Sequence, residues 1–303
     1  MAKLHVNLTP ALKKLSIVTK GVSTSMMMGQ YKSMFRGRGV EFDSYRKYAQ
    51  GDDASMIDWR ASARAGPSQV LVKQFVEERN ITVFFLIDVS SSMVFGSTSK
   101  LKNEYAAELV ASLTHVALES GDSVGFAAFS DNIVAKTPPA ANKRQFYLLS
   151  KTIVDPAIYG GNYDLAAALV FTLGFVREYA IVMIVSDFIG LKGEWKKALK
   201  LASGKFDLVG IMVRDPRDRA LPAEETPFAI RDPFSGKTMK ITPAQLRRQY
   251  EAVTRAQEDE VRQAFHEANA DLIMLSTDKP FATAIRQFFE GRQRVVSSTS
   301  AGY

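Results

Sequence analysis

Two uninterrupted apolar runs, Ile81-Thr-Val-Phe-Phe-Leu-Ile-Asp88 and Tyr179-Ala-Ile-Val-Met-Ile-Val-Ser186, constrain the fold most. Each is too short to cross a membrane and rich in residues that favour extended backbone, so each reads as a strand buried on both faces. Between them Leu101, Tyr105, Leu109, Leu113 and Val116 recur at steps of four and three, one face of a helix. Val124–Phe129 reads as the next strand and Asn132–Lys136 as a returning edge, while Leu165, Ala168, Leu169, Leu173 and Val176 mark a second helix. Phe206–Val213 and Leu272–Leu275 supply two more strands. This alternation predicts an α/β fold with a doubly wound, mostly parallel, Rossmann-like sheet.

The order breaks where five of the eleven prolines fall between Pro216 and Pro243. An insertion is expected at about 214–245, with a hairpin around Asp232-Pro-Phe-Ser-Gly236 and a helix opened by Thr242-Pro243. The α/β domain is assigned to 80–291. The polar stretch 292–303 reads as a flexible tail that frays after Gly291. Residues 1–79 form an appendage holding thirteen Lys and Arg against seven Asp and Glu, most of the net charge of +7. Within it Leu12–Gly29, ending in Met26-Met-Met-Gly29, reads as helical, and Gly37–Val40 as the start of turns and short strands.

Several chemistries are excluded early. No cysteine is present, which removes disulfides, thiolate metal sites and cysteine nucleophiles. The three histidines, His5, His115 and His266, lack metal-binding spacing. The opening residues lack the apolar core of a secretion signal, so a cytoplasmic location is expected. The basic charge raises nucleic-acid binding, but nothing resembles a zinc finger, an RNA-binding sequence or a recognition helix.

Asp88-Val-Ser90-Ser-Ser92 stands where the first core strand ends, and Asp187 closes the second long run in the same way. Ligands collect outside the carboxyl ends of strands in such sheets, so two carboxylates and two hydroxyls meeting there are expected to face solvent and suit a hard cation such as Mg2+. The simpler alternative is that Asp88-x-Ser-x-Ser only caps the next helix. Phe-Leu-Ile-Asp88 at a strand end also resembles phosphatases of the haloacid dehalogenase type, which implies a phosphoryl hydrolase with Asp88 as nucleophile as a further alternative. It is weakened because the second aspartate of those enzymes, their general acid two residues on, is here Ser90.

Asp88-x-Ser90-x-Ser92 with Asp187 resembles the metal ion-dependent adhesion site of von Willebrand factor A domains. Gly37-Arg-Gly39-Val-Glu41-Phe42, Tyr45-Arg46-x-Tyr48, Gly51-Asp52-Asp53, Ile57-Asp58-Trp59, Ser62-Ala63-Arg64 and Lys73-Gln-Phe75-x-Glu77-Glu78, leading into Asp88, resemble the prokaryotic family called domain of unknown function 58. The resemblance implies a von Willebrand factor A-like domain that works without catalysis as an adaptor, partnered by a MoxR-type AAA+ ATPase and a client protein. It also implies a third metal loop, usually Gly-Thr-Asn/Asp-Leu. Here Gly161-Asn162-Tyr163-Asp164-Leu165 places Tyr163 at the threonine, leaving Asn162 as the substitute ligand or none. Arg46, Asp52, Asp58, Trp59 and Arg64 are the candidate partner-binding residues. Against that, Trp59 and Phe42 suit core anchors of the appendage, and the charged residues suit buried ion pairs.

Overall fold

The computed structural model describes residues 31, 42–66, 69–75, 80–222 and 226–300. The readings at Leu12–Gly29, Gly37–Val40 and Glu77–Glu78, and of the Phe42 side chain, lie outside the residues and side chains described.

A six-stranded sheet dominates. Its strands are β3 (Thr82–Asp88), β4 (Ser123–Phe129), β5 (Ile133–Ala140), β6 (Ile181–Ser186), β7 (Asp207–Arg214) and β10 (Asp271–Ser276), in the spatial order β10-β7-β6-β3-β4-β5. All pairings are parallel except that of β5, which returns antiparallel on the β4 edge. The chain winds from β3 out to β5 and then restarts on the opposite side at β6. The switch point therefore lies between β3 and β6, and this is the doubly wound sheet expected from the sequence.

Both sheet faces are covered. Val83, Phe85 and Ile87 of β3 point into a core built with α2 (Lys102–Glu119), α3 (Lys143–Ile153) and α8 (Phe281–Ser300). Phe84 and Leu86 alternate onto the other face, against α4 (Leu165–Phe175), α5 (Trp195–Ser203) and α7 (Pro243–Glu267). Double coverage explains the absence of polar alternation in these strands. It also explains why α2 is buried on more than the single predicted face. Gly210 on β7 leaves room for the Phe265 ring against the sheet: an added Cβ would stand 2.5 Å from it.

The insertion holds α6 (Pro216–Arg219) and a hairpin of β8 (Phe228–Arg231) and β9 (Thr238–Ile241), formed around Asp232–Gly236 as predicted. Phe234 at its tip packs on Gly190, whose φ of +87° and missing side chain leave room for the ring. The last helix departs from expectation, continuing through Gly291 to Ser300. Arg292 donates to both Asp207 oxygens, at 2.8 and 2.7 Å, which ties this helix to the start of β7 beyond the predicted fraying point.

Before the sheet, β1 (Phe42–Lys47) and β2 (Leu71–Phe75) pair antiparallel around α1 (Trp59–Ala65). No helix among the described residues is long and apolar enough to cross a membrane.

Candidate functional site

Parallel pairing of β3 with β6 sets Ile87 beside Val185, so both chains leave the sheet together at Asp88 and Ser186–Asp187. The carboxylates predicted to meet across the switch point do so. They are not the solvent-facing notch the sequence suggests. Asp88 is 1% exposed and Asp187 0%, with Ser90, Ser92 and Ser186 equally buried. The reason is cover: Ser91 N and Oγ donate to Gly161 O, Gly160 N donates to Val89 O, and the Tyr163 hydroxyl reaches to 3.1 Å from Ser186 Oγ.

Asp88 Oδ1 accepts from Ser90 N at 2.8 Å, and Oδ2 accepts from Ser186 Oγ at 2.6 Å. Among the described residues it has no ion-pair partner. Burial, and then the neighbouring Asp187, push its carboxyl up to about 7. The same burial, reinforced by Asp88, holds the Tyr163 phenol well above its ordinary range. Asp88 is hydrogen-bonded at both oxygens and closed from solvent.

Asp187 is held differently. Its Oδ1 accepts from Ile189 N at 2.8 Å, and its Oδ2 accepts from Lys102 Nζ at 2.7 Å. Lys102, 1% exposed, also donates to Asp218 Oδ2 at 2.9 Å and lies 5.5 Å from the centre of the Phe95 ring. Burial pulls its ammonium down, but Asp187 and Asp218 outweigh that and leave it above its usual value. Asp218 belongs to α6, whose N-cap Asp215 accepts from Ser97 N at 2.7 Å and Thr277 Oγ1 at 3.1 Å. Burial opposes ionisation of Asp215, yet its hydrogen bonds, led by those from Ser97, hold its carboxyl below the usual range. Phe188, directly after Asp187, takes a left-handed φ of 54°, and Gln257 donates to its carbonyl.

The donor set fits a hard cation on one side. Ser90 Oγ and Ser92 Oγ are 3.1 Å apart. Neighbouring ligands on an octahedral ion with bonds of about 2.1 Å lie roughly 3.0 Å apart. Asp88 adds a carboxylate with no counter-ion among the described residues. On the other side Lys102 already occupies Asp187. Among the described residues no three His, Cys, Asp or Glu side chains form a metal-binding group, so serine oxygens are essential to any such site. Asn162 is exposed and lines a separate cavity of about 480 Å³ with Asp131, Tyr163, Asp164, Lys192 and Glu194.

The N-terminal candidates divide by role. Arg46 donates to Asp52 at 2.5 and 2.8 Å, and Asp52 also accepts from Ala49 N, closing a turn. Through these hydrogen bonds Arg46 draws the Asp52 carboxyl down to about 2. This pair is at the surface, not buried. Asp58 caps α1 by accepting from Arg60 N and Ala61 N, each at 3.0 Å. Trp59 is 68% exposed and is no core anchor: as the first helical residue after that cap it projects outward. Arg64 is exposed in the last turn. His115 packs against Phe146, with ring centres 5.9 Å apart.

Sequence reasoning missed Lys102, Ser186 and Asp218. Only the last had a signal, because Asp215-Pro-Arg-Asp218 is a helix-opening pattern with reciprocal caps.

Known proteins resemble this chain over a third to nearly all of its length. "Uncharacterized protein Rv1480" of Mycobacterium tuberculosis is 26% identical over 291 residues, covering 95% of this chain and 90% of that one. "Uncharacterized protein YeaD" of Bacillus subtilis is 32% identical over 108 residues, 36% of this chain and 23% of that one. Among solved structures, the conserved hypothetical protein BatB from Bacteroides thetaiotaomicron aligns with 71% of this chain and all of its own, at 16% identity and a TM-score of 0.46. A von Willebrand factor type A protein from Catenulispora acidiphila aligns with 72% of this chain and 43% of its own, at 13% identity and a TM-score of 0.41. A family profile matches residues 44–260, taking in both the N-terminal strand pair and the Asp88–Asp187 crevice, and by that match the chain belongs to the family described as "Protein of unknown function DUF58".

Proposed function

We propose that the chain is a non-enzymatic protein-interaction module whose docking surface is the carboxyl edge of the sheet, ordered from beneath by a divalent cation. The observation carrying this reading is the oxygen cluster of Asp88, Ser90 and Ser92, with a buried carboxylate that lacks a counter-ion among the described residues. Asp88, Ser90 and Ser92 would hold magnesium. Bound there, the ion would supply the positive charge that Asp88, unlike the Lys102-paired Asp187, lacks among the described residues. Because these side chains are closed from solvent, contact with a partner falls to the loop they support. Its Val94 and Phe95 are 49% and 42% exposed, and Phe95 rests over Lys102, so the apolar surface and the charged crevice are mechanically joined.

The proposed partner is a MoxR-type AAA+ ATPase in the cytoplasm, on the strength of the family resemblance, with a client protein presented to it. Trp59 and Arg64 are the second proposed contact. Arg46, Asp52 and Asp58 shape the backbone that displays them.

The test is capture of a purified MoxR-type ATPase by the full chain in magnesium and after chelation. Phe95→Ser is expected to weaken capture at least about tenfold, as loss of a central aromatic contact does, and chelation to weaken it as well. Capture unchanged by both would end this reading.

A further inference from the structure

Lys102 sits where helix electrostatics disfavour it. It is the first residue of α2, at the end where unpaired backbone amides carry partial positive charge and acidic residues are preferred. It is also buried, although lysine is among the residues least often sealed from water. Both costs are offset by two carboxylates from distant parts of the chain, Asp187 at 2.7 Å and Asp218 at 2.9 Å. Asp187 is the same side chain that the switch-point geometry offers to a cation.

We propose that Lys102 is a tethered counter-ion that competes with a divalent cation for Asp187 and thereby holds down the magnesium affinity of the crevice. This rests on the cation reading of Asp88, Ser90 and Ser92. Two effects of its ammonium act with the same sign. It occupies an oxygen of Asp187 that an incoming ion would otherwise use, and it places like charge beside that ion. The bridge also keeps Asp187 compensated when no metal is bound, so the domain does not depend on metal to fold. Asp218 tunes the competition, because an ammonium shared between two carboxylates is held less firmly by either. Neutralising Asp218 leaves Lys102 to Asp187 alone.

Calorimetric titration of magnesium chloride into the chelator-stripped full chain tests this, with wild type, Lys102→Met and Asp218→Asn compared. Removing the ammonium is expected to tighten magnesium binding roughly tenfold or more. The Lys102→Met melting midpoint is expected to fall without metal and recover with it further than wild type does. Asp218→Asn, which keeps an oxygen to cap α6, is expected to bind magnesium more weakly than wild type. If Lys102→Met binds magnesium no more tightly than wild type, the competition is wrong while the cation site stands. If neither protein takes up magnesium, the cation reading and the competition fall together. Should Lys102→Met fail to fold, Asp218→Asn decides: affinity equal to or above wild type overturns the proposal.

Discussion

The carboxyl edge of the large sheet and the small N-terminal strand pair both concentrate charged residues, yet they use them in opposite ways. At the sheet edge the partners are far apart in sequence: Lys102 meets Asp187 and Asp218, and Asp88 meets Ser186. They are buried, so each loses its hydration and depends on its partner. In the N-terminal unit the pairs are local, Arg46 with Asp52 and Asp58 with the amides of Arg60 and Ala61. These remain wet and mainly fix turns. Charge therefore ties distant segments of the sheet domain together, whereas in the strand pair it sets local backbone shape and leaves Trp59 outside.

The largest expected effect comes from separating a buried pair. Asp187→Ala leaves the Lys102 ammonium with Asp218 alone, and removing one member of a buried ion pair costs about 3–5 kcal/mol. Urea unfolding should show the midpoint collapse. Arg46→Ala, removing the solvent-exposed counterpart, should leave the midpoint nearly unchanged, and equal losses from the two would erase the contrast.

Next comes pH. The Asp88 carboxyl is raised to about 7 in the folded, metal-free chain, so between its unfolded value near 4 and that value the folded state holds the extra proton. Stability contributed by this group is thus full at low pH and lost as pH rises toward 7, by at most about 1.4 kcal/mol per unit. Asp52 runs the other way: its carboxyl is drawn down to about 2, so its contribution is present above its unfolded value and lost on acidification below it. In chelator, Asp88→Asn should flatten the fall in unfolding midpoint between pH 5 and 7. A wild-type midpoint that does not fall across that interval would contradict the buried, uncompensated carboxylate.

Glycines sharpen the comparison further. Gly190 and Gly51 both have positive φ, +87° and +108°. An alanine at Gly190 would also meet the Phe234 ring at 2.8 Å, while at Gly51 nothing stands within 4 Å. Gly190→Ala should cost about 1–3 kcal/mol through strain and overlap, and Gly51→Ala the strain alone, about 1 kcal/mol. Thermal melts of the two variants give the difference, and a Phe234→Ala background should shrink it.

Strand ends were legible because a buried parallel strand needs an unbroken apolar run, and the first carboxylate after such a run must emerge at the sheet edge. Asp88 and Asp187 followed directly, and their meeting followed from the winding order. Their burial did not, because it depends on Tyr163 and the Gly160–Gly161 turn folding over them from another part of the chain. Lys102 was illegible for the same reason: within Ser-Thr-Ser-Lys-Leu-Lys it looks like any solvated lysine, and only two distant aspartates make it internal. Trp59 failed differently. A large aromatic is a sound guess for a core, but Asp58 caps the helix immediately before it, and that local geometry turns the ring to solvent.

That exposure makes Trp59 the site of the smallest expected stability change. A side chain that is 68% exposed on a short helix contributes little to folding, so Trp59→Ala should move the unfolding free energy by no more than about 0.5 kcal/mol. The consequence of interest is the dissociation of stability from binding. Exposed tryptophans rank among the residues most often responsible for protein association, because a large rigid apolar surface is buried at little entropic cost. If the N-terminal unit is the second contact, Trp59→Ala should weaken capture of the ATPase while its melting curve overlays wild type. A variant that melts several degrees lower would place the ring in a packing role, and one that captures the partner undiminished would confine docking to the Val94–Phe95 edge.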